Sequence, residues 1–197
     1  MPTVSVRPRA VVVTLALGLM VAGCGINAIP TQEEKAKAGW SEVLNQYQRR
    51  SDLIPNLVDV VKGYAGHERQ LLQQVTELRG AARALPSEDV ARRAEAEGAL
   101  SIALGRLIAL AESYPDLKAS GNFLELQQEL SRLESEIQMA RRYYNGSVRN
   151  LNTLVESFPS NLVAGLFGFV QRQFFEISDA ADRAVPRVAL EQARPER

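Results

Sequence analysis

Phe123, Leu130, Ile137, Tyr144, Leu151 and Phe158 stand seven residues apart, and Leu126, Leu133, Ala140, Ser147 and Leu154 form a second row between them. A helix returns to the same face every seven residues, so these rows predict one amphipathic helix from about Asn122 to Ser157. At a rise of 1.5 Å per residue, such a helix is a rod of roughly 54 Å. An apolar seam of that length stays buried only against a partner of similar length. The first half of the chain supplies one. Tyr47, Ile54, Val61 and Val75 share a seven-residue register, flanked by Val43, Leu57, Tyr64, Leu71 and Leu78, with Glu68 interrupting the face. There is no strand alternation and no internal repeat. The expected fold is all-α: an antiparallel up-and-down bundle of about four long helices, with a kinked first helix, a short apolar helix and a frayed tail at the C-terminus.

Boundary signals divide this pattern. Thr31-Gln-Glu-Glu34 reads as a capping box that starts the first helix. Pro55 removes an amide and disfavours helix at Ile54, which predicts a kink or a restart there, with Asp52 as the available cap. Leu85 to Asp89 is a turn, and the next helix runs from about Ser87 to Ser113. Its buried face is Leu100, Leu104, Leu107, Ile108 and Ala111, and its first half, rich in Ala, Glu and Arg, reads as exposed. Tyr114-Pro115-Asp116 ends it. Phe158-Pro159 stops the rod, and a short helix starts at Ser160 or Asn161. Residues 161–170 are almost wholly apolar, Leu162, Leu166, Phe167 and Phe169 among them. They either cap the bundle or lie on a lipid surface. Beyond Ser178 the chain turns polar and is expected to fray.

The N-terminus speaks to location. Arg7 and Arg9 precede an uncharged apolar stretch, Ala10 to Val21, that is too short to span a bilayer. It ends in Val21-Ala22-Gly23-Cys24, which resembles a bacterial lipobox. The expectation is cleavage between Gly23 and Cys24 and acylation of Cys24, the only cysteine. Two or three acyl chains, such as palmitate, anchor durably where one holds only marginally. The organisation then reads as signal peptide 1–23, lipidated tether 24–32, helical bundle 33–177 and polar tail 178–197. Gly25, where an Asp would direct retention, favours the outer over the inner membrane, facing the periplasm.

Chemistry is sparse. With 23 basic and 23 acidic residues the chain is near neutral, which argues against a nucleic-acid partner. His67 is the only histidine. A di-iron bundle needs Glu-x-x-His motifs on two helices, and Tyr64 stands where the Glu would be. A structural zinc site lacks its Cys and His ligands, and no serine lies in a nucleophile elbow. No metal, cofactor or enzymatic activity is expected. Three polar groupings stand out. Arg49, Arg50 and Asp52, beside Pro55 and Asn56, form either a recognition patch or an Arg–Asp52 pair or cap that fixes the kink, the structural role being favoured. Tyr114, Pro115, Asp116, Lys118 and Asn122 read as caps that lock an interhelical turn. Arg141, Tyr144 and Asn145 lie on the rod, where a buried arginine would demand an acid such as Glu134 or Glu112.

These residues also carry a family likeness. Trp40-Ser-Glu-Val43, Arg49-Arg-Ser-Asp-Leu-Ile-Pro-Asn-Leu-Val58 and Val61-Lys-Gly-Tyr-Ala-Gly-His-Glu68 are followed by Glu112-Ser-Tyr-Pro-Asp-Leu-Lys-Ala119, Asn122-Phe123, Glu134-Ser-Glu-Ile137, Ala140-Arg-Arg-Tyr-Tyr-Asn145, Phe158-Pro-Ser-Asn161 and Gly165-Leu-Phe-Gly-Phe169. In these segments the chain resembles the LemA family over about residues 26–188. The resemblance implies a membrane-tethered antiparallel helical bundle without established biochemical activity. Its relatives include magnetosome-membrane proteins, and family genes often neighbour membrane metalloproteases. The segment 85–98 is shorter than the family pattern, and Leu151 precedes Asn152 where Tyr is common. The expected function is a non-catalytic envelope scaffold whose partner is another envelope protein, with a membrane protease as one possibility. The alternative is a membrane-shaping or lipid-surface-binding module acting through residues 161–170.

Overall fold

The fold was read from a computed structural model that describes residues 27–176. Its elements are α1 (Ala28–Tyr64), α2 (Arg69–Ala84), α3 (Val90–Ala111), α4 (Pro115–Lys118), α5 (Gly121–Glu156) and α6 (Ser160–Phe167). No strand occurs among the described residues. The fold is the all-α bundle that the apolar registers require.

α1 and α5, of 37 and 36 residues, pair antiparallel along the rod. Their backbones approach closely at Gly39, where an added Cβ would stand 3.1 Å from Tyr143 Cδ1 and 3.2 Å from the Tyr144 Cα. Only glycine lets the helices meet there without one of them shifting.

α1 does not stop and restart at Pro55; it is one helix through that position, and Asp52 lies in its interior rather than at a cap. The proline leaves the Ser51 carbonyl without its usual helical donor. Arg79 Nε, from α2, donates to that carbonyl at 2.7 Å. An arginine on a neighbouring helix thus replaces the missing amide.

The start of α1 also departs from the capping-box reading. The helix begins at Ala28, so Thr31 lies inside its first turn, its hydroxyl donating to the Asn27 carbonyl at 2.7 Å. Ile29 is fully buried. Burial of that side chain extends the helix into the segment assigned to the tether.

The apolar register running from Tyr47 to Leu78 is split by a reversal at Ala65 to Glu68, where Ala65 is fully buried and the Glu68 amide donates to its carbonyl at 3.0 Å. Beyond Tyr64, α1 has passed the start of α5 and a straight helix would have nothing to pack on. Folding back buries Leu72 and Val75 of α2 against Ile54, Leu57 and Val61 of α1. The α2–α3 turn is held by Arg93, which donates to the Ala82 and Leu85 carbonyls at 2.8 Å each. The Ala82 carbonyl is otherwise met only by the Leu85 amide at 3.4 Å, and carbonyls at a helix end need such partners from outside the helix. Asp89 caps α3, accepting from the Arg92 amide at 3.0 Å.

α2 and α3 are short, so they cover only part of the rod. One core unites α1, α2, α3, α4 and the start of α5 through Leu57, Val75, Leu100, Leu107, Leu117 and Phe123. A second core joins the first half of α1 to the last half of α5 through Ile29, Val43, Tyr47, Ile137, Tyr144 and Leu151. Ala164 of α6 and Phe175 complete it. Gly168, at φ 73°, takes the left-handed conformation that ends α6, and the Phe169 amide reaches back to the Ala164 carbonyl at 2.9 Å. The chain then returns along α5 as a non-helical strap, residues 169–176.

Candidate functional site

Arg50 is the most deeply buried charged residue of the bundle, at 1% exposure. Its guanidinium donates to Glu97 Oε2 at 2.6 Å and the Glu97 carbonyl at 3.2 Å, to Glu134 Oε2 at 2.9 Å and to Ser101 Oγ at 2.6 Å. One side chain thereby clasps α1, α3 and α5. A buried charge is tolerated only when paired in this way. Burial pushes the Glu97 carboxyl above the usual carboxylate range, while Arg50 and Arg93 draw it back.

The arginine that meets Asp52 is neither Arg49 nor Arg50. Asp52 accepts from Gln48 at 2.8 Å and meets Arg83 at 3.5 Å, and Arg49 bridges to Glu136 at 2.8 Å. Arg50, two positions from Asp52, points to a different face of α1, and Arg49, although one turn from Asp52, is drawn instead to Glu136 of α5. Asn56 is exposed and Pro55 half-buried. Sequence reasoning missed Glu97 and Arg93. Both lie in the half of α3 read as exposed, yet both are buried. The missed signal is their i,i+4 spacing on the helix facing the Arg-Arg pair.

The turn before α5 is locked by apolar rather than polar groups. Leu117 is fully buried, Tyr114 packs on the first core, and Pro115 opens α4, where its missing amide has no cost. Asp116, Lys118 and Asn122 are exposed and make no side-chain hydrogen bond among the described residues, and neither α4 nor α5 has a side-chain cap.

Arg141 pairs with neither Glu134 nor Glu112. It donates through Nε to the Tyr47 hydroxyl at 2.9 Å and lies over the Tyr47 and Phe175 rings, 5.4 and 4.7 Å from their centroids. Two aromatic faces take the place of the expected acid. Burial lifts the Tyr47 phenol to about 12, with Arg141 opposing.

Asn145 is the residue that fixes the strap. Its amide donates to the Phe175 carbonyl at 3.0 Å and accepts from the Phe175 amide at 2.8 Å. Asn152 does the same for Arg172, at 3.0 and 2.9 Å. The spacing is physical. Seven helical residues rise about 10.5 Å and three extended residues span about 10 Å, so asparagines seven apart meet every third strap residue. The Tyr144 hydroxyl donates to the Gln173 carbonyl at 2.8 Å between them.

The four candidate lipid-contact residues on and just after α6 divide. Leu162, Leu166 and Phe167 are exposed. Phe169 turns inward and packs on the second core beside Val163, because the strap reverses at Gly168. α6 therefore caps the bundle along one side and leaves the other open.

Gly23 and Cys24, with the rest of the signal and lipidation assignments, lie outside the described residues, as does the tail 178–197. Among the described residues, no group of three or more His, Cys, Asp and Glu could hold a metal, and no helix is long and apolar enough to cross a membrane. His67 is exposed at the α1–α2 reversal.

Comparison with known proteins points one way. Magnetosome protein MamQ of Magnetospirillum gryphiswaldense is 25% identical over 183 residues, covering 81% of this chain and 67% of that protein. Magnetosome protein MamQ 2 of Paramagnetospirillum magneticum is 24% identical with the same coverage. Protein LemA of Metamycoplasma hominis is 29% identical over 134 residues, covering 67% of this chain and 60% of its own length. The LemA family model matches residues 39–190, which take in the Arg50 clasp, both strap asparagines and α6. The chain belongs to the LemA family.

Proposed function

We propose that this chain is a non-catalytic helical scaffold of the bacterial envelope. It is tethered through acylated Cys24, favours the outer membrane, and projects its rod into the periplasm to hold another envelope protein, with a membrane protease as one candidate partner. The supporting observation is the use made of its buried charge: Arg50 pairs with Glu97 and Glu134 on neighbouring helices, and Arg93 donates to backbone carbonyls at the end of α2. These groups build a stiff rod and leave its exposed side to recognise a partner. Crosslinking from Arg49, Asp52 and Asn56 in cells tests this. One defined envelope protein should be captured from these positions and lost on their substitution. Capture of nothing, with cells indifferent to the substitutions, would sink the reading. Mass spectrometry of the mature N-terminal peptide beside a Cys24→Ser control checks the anchor.

A second reading, a lipid-surface or membrane-shaping module, is favoured by the exposure of Leu162, Leu166 and Phe167. Flotation with liposomes of the mature chain carrying Cys24→Ser, with and without Phe167→Asp, tests it. Binding that needs no acyl group and falls with the aspartate supports it, and a chain that never floats removes it.

A further inference from the structure

Five large apolar side chains crowd the surface where α5 ends and α6 turns. Phe158 is 79% exposed, Leu162 65%, Leu166 80%, Phe167 62% and Val170 74%. Other exposed apolar residues, such as Ile102, Leu124 and Met139, are spread along the rod, which is ordinary for a protein surface. A contiguous cluster marks a contact surface. From Ser157 to Val170 there is no charged residue. The inner side of α6 is already satisfied by Ala164, so the open side is surplus to the bundle.

Position decides what covers it. α1 begins at this end: Ile29 shares a core with Ala164 and Leu151, and Glu33 bonds to Arg172 at 2.8 Å. From Cys24 to Asn27 there are three residue steps, which reach about 10 Å at full extension. An acyl group on Cys24 therefore holds the bilayer surface within about 10 Å of the first turn of α1, and the apolar stretch Ala10 to Val21, if left in place as an anchor, holds it within about 20 Å. The apolar cluster lies at that same end.

We infer that the outer face of α6 is a second membrane contact, in which Phe158, Leu162, Leu166, Phe167 and Val170 enter the boundary between headgroups and acyl chains of the bilayer that holds the N-terminus. A tether alone lets the rod swing; a second contact at the same end fixes its axis and places the α1–α2 reversal and α4 farthest from the lipid. With no charge in the cluster, the contact takes apolar lipid regions and is indifferent to headgroup charge. This inference rests on the lipid-surface reading above and not on the partner.

The test uses the full anchored chain in vesicles of phosphatidylcholine alone. Trp40 is the only tryptophan, so Trp40→Phe clears the background. Leu166→Trp then reports on the foot, Leu162→Trp repeats the report on a second site, and Met139→Trp reports on the side of the rod. The expected result is a blue-shifted emission at 166 and 162, most of it lost to phosphatidylcholine brominated near the headgroup, with emission at 139 unchanged. Adding anionic phosphatidylglycerol should alter nothing. A tryptophan at 166 or 162 that stays water-like in vesicle-bound protein overturns the inference, as does quenching that requires anionic lipid. If the chain floats without its acyl group while 166 stays in water, the lipid-surface reading survives and this placement falls. No other protein is present, so neither result bears on the scaffold reading.

Discussion

Between Ser51 and Tyr64, α1 is wrapped by α2, α3 and α5. Between Ile29 and Tyr47 it has α5 and the very start of α3, and an extended strap completes the layer. The two stretches show two ways of closing the same pair of long helices. Where helices do the covering, each satisfies its own backbone and only side chains must fit. Where the strap does the covering, its amides and carbonyls arrive open, and a buried open group costs about as much as a lost hydrogen bond. α5 therefore presents Asn145, Asn152 and Tyr144 toward it, polar residues that the four-helix stretch does not need. Phe175, 5% exposed, supplies the apolar bulk that α2 and α3 supply elsewhere.

The largest effect should come from breaking the helix-covered stretch. Arg50→Met strands Glu97 in the core and is expected to cost about 3–5 kcal/mol in urea unfolding, with much of it recovered by the double variant Arg50→Met/Glu97→Met. Recovery would show that the cost is the abandoned charge. No recovery would show that the clasp itself holds the bundle. Phe175→Ala should cost about 3 kcal/mol. It should also raise hydrogen exchange in residues 28–47 and 141–156 while leaving α2 and α3 protected, and a uniform rise would erase the distinction between the stretches.

A pH effect belongs to the same boundary. The Tyr47 phenol rises from the usual 10 to about 12 on folding. The folded chain thus holds that proton more tightly than the unfolded chain. The stabilisation is complete below pH 10 and is lost as pH climbs through 12, by up to about 3 kcal/mol. Tyr47→Phe should remove that part of the alkaline loss, as read by the difference in unfolding midpoints. The smallest effect is expected from Asn145→Ala, about 1–2 kcal/mol, because water can replace part of what the strap loses. Its exchange signature should match that of Phe175→Ala, confined to the strap-covered stretch.

Much of this was legible in advance. The seam from Phe123 to Leu151 set α5 to within one residue at each end, because a long strict register admits one solution. The Pro-Ser-Glu-Asp and Tyr-Pro-Asp turns appear where the chain breaks. Of the two outcomes open at Pro55, the restart did not occur, since a local rule for the backbone knows nothing of Arg79, which lies 24 residues farther along the chain than Pro55. Arg50, Asp52 and Glu97 were harder still. Adjacent charges suggest local pairing, whereas the partner of Arg50 depends on which helix folds against it. Asn145 read as one polar residue on a rod, and its role needs a strap whose path no periodicity records.

The LemA family fold of long paired helices, the short apolar helix after Pro159 and the absence of strand patterning follow from the sequence alone, because hydrophobic period and helix-stop residues act along the chain. The reversal at Ala65, the choice of Glu97 and Glu134 for Arg50, the rescue of the Ser51 carbonyl and the asparagine rungs belong to the tertiary structure. Each joins groups distant in sequence, and a buried donor or charge takes whatever partner the packing brings within hydrogen-bond reach.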